Sequence, residues 1–155
     1  MLGMTEKTMK IINHIIKLKT ATTLDFIDVT EKIQKKIKEA GIKNGVINIQ
    51  SLHTTMAILV NEAEPLLIED MKVLLERMAP RTYQYMHDNF EIRTVNMCDD
   101  ECANGHAHNK AIRLPTSTFL NIVKNKLQLG TWQRIFAIEL DRSRPRQIAL
   151  QIMGE

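Results

Sequence analysis

The chain has 155 residues, 44% of them apolar and 25% charged, with six glycines, four prolines and a formal charge of +3 at neutral pH. That length suits one domain spanning 1–155, and the composition excludes a disordered, fibrous or disulfide-scaffolded protein. So small a charge does not indicate a nucleic-acid partner, and no apolar run approaches the roughly 20 residues of a bilayer span, so neither nucleic acid nor membrane is expected.

At the N-terminus, "IINHIIKLKT" is rich in isoleucine and predicts a strand, while Asn13 and His14 interrupt it too early for a signal-peptide core. A cytoplasmic location is expected, where Cys98 and Cys102 remain thiols. "DVTEKIQKKIKEAG" has helix grammar: Asp28 or Thr30 as N-cap, Ile33 and Ile37 one turn apart, and Gly41 as the stop. "GVINIQS" alternates Ile47 and Ile49 against Val46, Asn48 and Gln50, a strand with one apolar face. "HTTMAILVNE" is apolar through its centre and predicts a strand buried on both sides, expected to pair with the one before it.

A second helix is predicted from Pro65 to Pro80, with Leu67, Met71, Leu74, Leu75 and Met78 as its core face. The polar stretch from Thr82 to Asn104 is a loop of a length that is uncommon without function. "TFLNIVKNKLQLG" reads as a hairpin turning at Lys124 to Lys126, with Asn125 suited to left-handed backbone. "TWQRIFAIEL" and "RQIALQIMG" are two more strands, separated by "DRSRPR", where Arg142, Arg144 and Arg146 would share one side of an extended segment and hold an anion or pair with acidic groups of a neighbouring subunit. This order of elements argues an α+β fold with a largely antiparallel or mixed sheet.

"CDDECANGHAH" places Cys98, Cys102, His106 and His108 within eleven residues. A four-ligand zinc knuckle is atypical at this spacing, because the two ligand pairs abut without a connection that folds back. Ala107, Ala111 and Leu114 predict instead a short helix capped by Asn104, on which His106 and His108 point in different directions. His108 is then the useful histidine, with His53 and His87 as partners distant in sequence, able to act as acids, bases or metal ligands if they converge. Glu139, inside an apolar strand, needs a partner, which a subunit contact or a metal would provide.

The segments "LHTTMAILVNE", "NGHAH" and "LGTWQRIFAIELD" in combination resemble the YjbQ-like, or secondary thiamine-phosphate synthase, family. The resemblance implies an α+β fold built as a mixed, largely antiparallel β-sandwich covered by helices on one side, and a homotrimer. It also implies an activity: joining hydroxymethylpyrimidine diphosphate to thiazole phosphate with release of pyrophosphate. The implied catalytic set is His53, Thr54, Asp70, His87, His108 and Gln133, and Asn61, Glu62 and Trp132 would bind the ligand. A divalent metal, zinc or magnesium, would sit on His53, His87 and His108, and the partner would be a small phosphorylated heterocycle. A metal-assisted hydrolase of a small phosphorylated compound and a non-catalytic trimeric ligand-binding protein stand as alternatives.

Overall fold

In the computed structural model, which describes residues 8–155, the isoleucine-rich segment forms β1 (Lys10–Lys19), turning Ile16 and Leu18 into the core and Ile11 and Ile15 to solvent. A short β2 (Asp25–Asp28) precedes α1 (Thr30–Ala40), which buries Ile33 and Ile37 as expected. Neither candidate is the N-cap: that position falls on Val29, which makes no side-chain cap bond, while Asp28 just before it accepts the Thr30 N–H at 2.9 Å. Gly41, at φ 67°, ends the helix in the left-handed conformation, donating its N–H to the carbonyls of Ile37 and Lys38.

The remaining elements are β3 (Gly45–Ser51), β4 (Met56–Glu62), α2 (Pro65–Met78), a 3-10 turn at Met86–Asp88, α3 (Gly105–Ala111), β5 (Ser117–Val123), β6 (Lys126–Leu127), β7 (Gln133–Glu139) and β8 (Pro145–Gly154). They build a five-stranded sheet in the order β1-β8-β3-β5-β6 and a three-stranded sheet in the order β2-β7-β4, and every pairing is antiparallel. The turn between β5 and β6 has Lys124 at φ 51° and Asn125 at φ 63°, the two left-handed residues of a type I′ hairpin.

β3 and β4 do not pair with each other, contrary to expectation; they lie in different sheets. The reason is in their faces. β3 has one apolar face and belongs in an outer layer, with Ile47 and Ile49 inward. β4 is apolar on both, so it belongs to the middle layer. Met56 and Ile58 join a core made with Ile47, Ile49, Ile148 and Ile152 of the large sheet and Ile33 and Ile37 of α1. Ala57 faces the other way, into a second core with Phe136, Ile138, Leu75 of α2 and Ala107 of α3. The small sheet is thus sandwiched between the large sheet and the α2 and α3 helices.

The predicted α2 core face is too wide. Leu75 is buried and Leu67 and Met71 are half-buried, but Leu74 is 57% and Met78 44% exposed. α2 rests on one short sheet and has nothing on its outer side, so an apolar stripe broader than that contact remains in solvent.

Candidate functional site

At one end of the sandwich the β1–β2, β3–β4 and β7–β8 connections meet the start of α3. The base of this end is an ion pair inside the apolar core. Glu139, fully buried at the end of β7, accepts from Nε and Nη2 of Arg146 and from the Thr20 hydroxyl at 3.0 Å. Arg146 Nη2 also donates to Thr55 Oγ1 at 3.0 Å. The partner that Glu139 needs is therefore an arginine of its own chain, not a neighbouring subunit or a metal. The three arginines of "DRSRPR" do not line one side: Arg146 goes inward, Arg144 pairs with Asp141 at 3.0 Å, and Arg142 pairs with Asp100 at 2.9 Å. The connection bends before β8 begins, so strand alternation does not govern it.

Above this base, His87 of the 3-10 turn and His108 of α3 meet edge to face with ring centroids 4.6 Å apart. Asp88 makes the meeting possible, because its Oδ1 accepts the N–H groups of Asn104 and Gly105 at 2.9 and 2.8 Å and so docks the turn on the α3 N-terminus. Asn104 occupies the expected cap position, yet its side chain makes no cap bond; Asp88 supplies the cap instead. Gly105 is required, since a Cβ there would lie 2.5 Å from Cβ of Tyr85. Three buried polar atoms at this end lack partners: His87 Nε2, Asn104 Oδ1 and Arg144 Nε. Asn104 and Arg144 are both tied to the buried Asp141, at 3.5 and 3.0 Å. Buried groups with hydrogen bonds unmade call for a partner, either ordered water or a ligand. On the flank of the 3-10 turn lies a cavity of about 520 Å³ lined by Arg81, Tyr83, Tyr85, Met86 and Asp88 among others.

His53 does not join this pair. It lies in the corner before β4, not in the strand, and its Nε2 accepts the Gln147 N–H at 2.9 Å. Thr54 beside it is exposed. Asn61, Glu62, Trp132 and Gln133 are gathered at the opposite end of the small sheet, where Glu62 is in register with Gln133; Met56 and Glu139 mark the near end. Six strand residues separate the ends, about 20 Å. Gln133 Oε1 is occupied with the Gly130 N–H at 2.8 Å, and Asn61 Nδ2 contacts Met71 Sδ at 3.3 Å. Asp70 is exposed on α2.

Among the described residues no three His, Cys, Asp or Glu side chains lie together as a metal set. The implied metal on His53, His87 and His108 therefore does not fit within one chain, and neither does a knuckle of the two cysteines and two histidines. Cys98 is exposed, and Cys102 Sγ lies 3.6 Å from Arg144 Nη2. His106 and His108 diverge as the helix requires. His106 is buried and takes a hydrogen bond on Nδ1 from Lys110 at 3.2 Å. Lys110 is a residue that sequence reasoning missed: fully buried, it donates to the Ala79 carbonyl at 2.7 Å and pairs with Glu76 at 3.0 Å, joining α3 to the end of α2. A lone lysine in a polar helix gives no signal of this.

Burial holds His53, His106 and His108 below the ordinary imidazole value of 6.5, helped by Arg146, Lys110 and His87 respectively. The folded chain consequently binds fewer protons than the unfolded one as pH falls through 6.5. Stability is full above that value and declines below it. The urea midpoint should drop between about pH 7.5 and about pH 5, and the drop should shrink in His106→Gln. A midpoint that is flat across this range would contradict the assignment.

The fold and this end define a class: an α+β protein of two antiparallel sheets with a histidine pair where its connections converge. The chain belongs to the UPF0047, YjbQ-like family, whose model matches residues 14–155. It is similar to a UPF0047 protein of Methanothermobacter thermautotrophicus, 32% identical over 147 residues and covering 95% of each chain. A UPF0047 protein of Archaeoglobus fulgidus is 31% identical, over 89% of this chain and 98% of that one. Among solved structures, a YbjQ-like protein of unknown function from Sulfolobus solfataricus superposes with a TM-score of 0.85 at 32% identity, covering 96% of this chain and all of that one. No helix among the described residues is long and apolar enough to cross a membrane.

Proposed function

We propose that this chain binds a small phosphorylated heterocycle at the His87 and His108 end and, as a weak thiamine-phosphate synthase, joins hydroxymethylpyrimidine diphosphate to thiazole phosphate. The observation that carries the reading is the apposed His87–His108 pair, with Asn104 Oδ1 and Arg144 Nε unpartnered beside it. In this reaction the thiazole nitrogen attacks the pyrimidine methylene carbon, the carbon–oxygen bond to the diphosphate breaks, and the electron pair leaves with pyrophosphate. Donors fixed where that charge develops favour departure. Arg144 and an imidazole N–H are of this type, and Arg81 and Tyr83 in the neighbouring cavity suit a phosphate and a flat ring. No step is assigned to a metal ion.

The test is pyrophosphate release from hydroxymethylpyrimidine diphosphate, with and without thiazole phosphate. Release that requires the thiazole and falls at least tenfold in His87→Ala and His108→Ala would support the synthase. Release without it would favour hydrolysis of a phosphorylated compound. No turnover and no binding of either substrate would sink both and leave a non-catalytic role.

A further inference from the structure

The outer face of the large sheet, turned away from the core that Ile49 and Leu150 enter, holds a cavity that owes nothing to the histidine end. Strand register sets two rows of side chains across β1, β8 and β3: Asn13, Gln151 and Asn48 in one, Ile15, Ala149 and Gln50 in the next. They enclose about 310 Å³, a volume at the lower end of small-molecule pockets. The depression exists because Ala149 is the one small side chain among longer neighbours. His14 and Leu150 also line it, but strand alternation turns their side chains to the core side, where Leu150 is buried, so what they offer the floor is backbone. β8 is paired with a strand on either side, so the Leu150 backbone is already hydrogen-bonded and the floor is apolar.

The rim is polar and uncharged: no Asp, Glu, Lys or Arg lines it. Gln151 Nε2 donates to Asn13 Oδ1 at 3.1 Å, which fixes one amide against the other. Asn48 Oδ1 is buried and has no partner among the described residues, so it calls for a donor. An amide both donates and accepts, as a hydroxyl does, whereas an ionic ligand would meet no opposite charge here. β1 and β3 are two strand spacings apart, about 10 Å, which leaves room for one six-membered sugar ring with its hydroxyls. We propose that this depression binds a neutral pyranose sugar, one apolar face of the ring lying on Ala149 while its hydroxyls radiate to the amides of Asn13, Asn48, Gln50 and Gln151. Phe119, opposite Asn48 on β5 and 62% exposed, gives a second ring an aromatic surface to stack on, so a disaccharide binds more tightly than a monosaccharide.

The experiment titrates glucose and cellobiose into isotopically labelled protein and follows the side-chain amide signals of Asn13, Asn48, Gln50 and Gln151 by NMR. Saturable shifts of these signals are expected, with a dissociation constant on the order of 1 mM for glucose and a lower one for cellobiose. Ala149→Ile fills the depression with a residue that suits a strand, so it should abolish the shifts and leave the urea midpoint unchanged. Asn48→Ala should weaken binding about fivefold without lowering the midpoint, because it removes a bare buried acceptor. Phe119→Ala should shrink the advantage of cellobiose over glucose and spare glucose binding. No saturable shift, equal shifts with glycerol, binding that survives Ala149→Ile, or tighter binding of adenine than of either sugar would overturn the proposal. Amide signals that change with protein concentration in the absence of sugar would overturn it too, by showing this face covered by another copy.

Discussion

Replacing Arg146 with alanine should destabilise the fold by about 3–5 kcal/mol, seen as a lowered urea midpoint or a melting temperature reduced on the order of 10 °C. Glu139 is fully buried and two of the four hydrogen bonds it accepts come from Arg146, the others from the Thr20 hydroxyl and the Asp141 N–H, so truncation strands a carboxylate in the core and leaves Thr55 Oγ1 without its donor. The penalty comes from the orphaned charge more than from the lost contact. Arg146→Met with Glu139→Leu should accordingly recover most of the loss, because an apolar pair of similar volume carries no buried charge. Should the double variant be as unstable as the single one, the ion pair would have to contribute net stability of its own.

Lys110→Ala should cost about 2–4 kcal/mol, from the cavity left by three methylenes and the ammonium and from the Ala79 carbonyl and His106 Nδ1 losing their donor. Lys110→Met keeps the volume and loses only the polar contacts, so its cost should be smaller, about 1–3 kcal/mol. Burial pulls the Lys110 ammonium below its ordinary value of 10.5, against the opposing effect of Glu76. The folded state thus disfavours this proton, and stability should rise with pH as the pH passes through the lowered value toward 10.5. Urea unfolding across that alkaline range would show the rise in wild type and its absence in Lys110→Met; equal slopes would exclude Lys110 as the source.

Local signals were legible. α1 with Gly41, the left-handed pair at Lys124 and Asn125, and the strands β7 and β8 follow from residue chemistry a few positions apart. The β3–β4 pairing was misread because adjacency in the chain says nothing about layers, although the two-sided burial of β4 carried the correction. The outward stripe of α2 shows the same limit: periodicity tells which face is apolar, not how much of it another element covers. In the site, helix geometry separated His106 from His108, and the meeting with His87 depends on Asp88 bonding across sixteen residues. His53 was misplaced as a converging ligand because no pattern reveals that the Gln147 N–H claims its Nε2. Lys110 was invisible for the same reason, since its partners lie on α2.

The pairing of β1 with β8, Lys10 opposite Gly154, has a consequence for how the protein is made. β8 lies between β1 and β3, so β1 has no strand partner and β3 has only β5 until residues 145–154 have been synthesised. Pairings of such high sequence separation make for slow folding, and until β8 emerges the nascent chain carries β1 unpaired and one edge of β3 open. Truncation before Pro145 should therefore yield aggregated protein rather than a shortened domain, because β8 is the strand that joins β1 to β3.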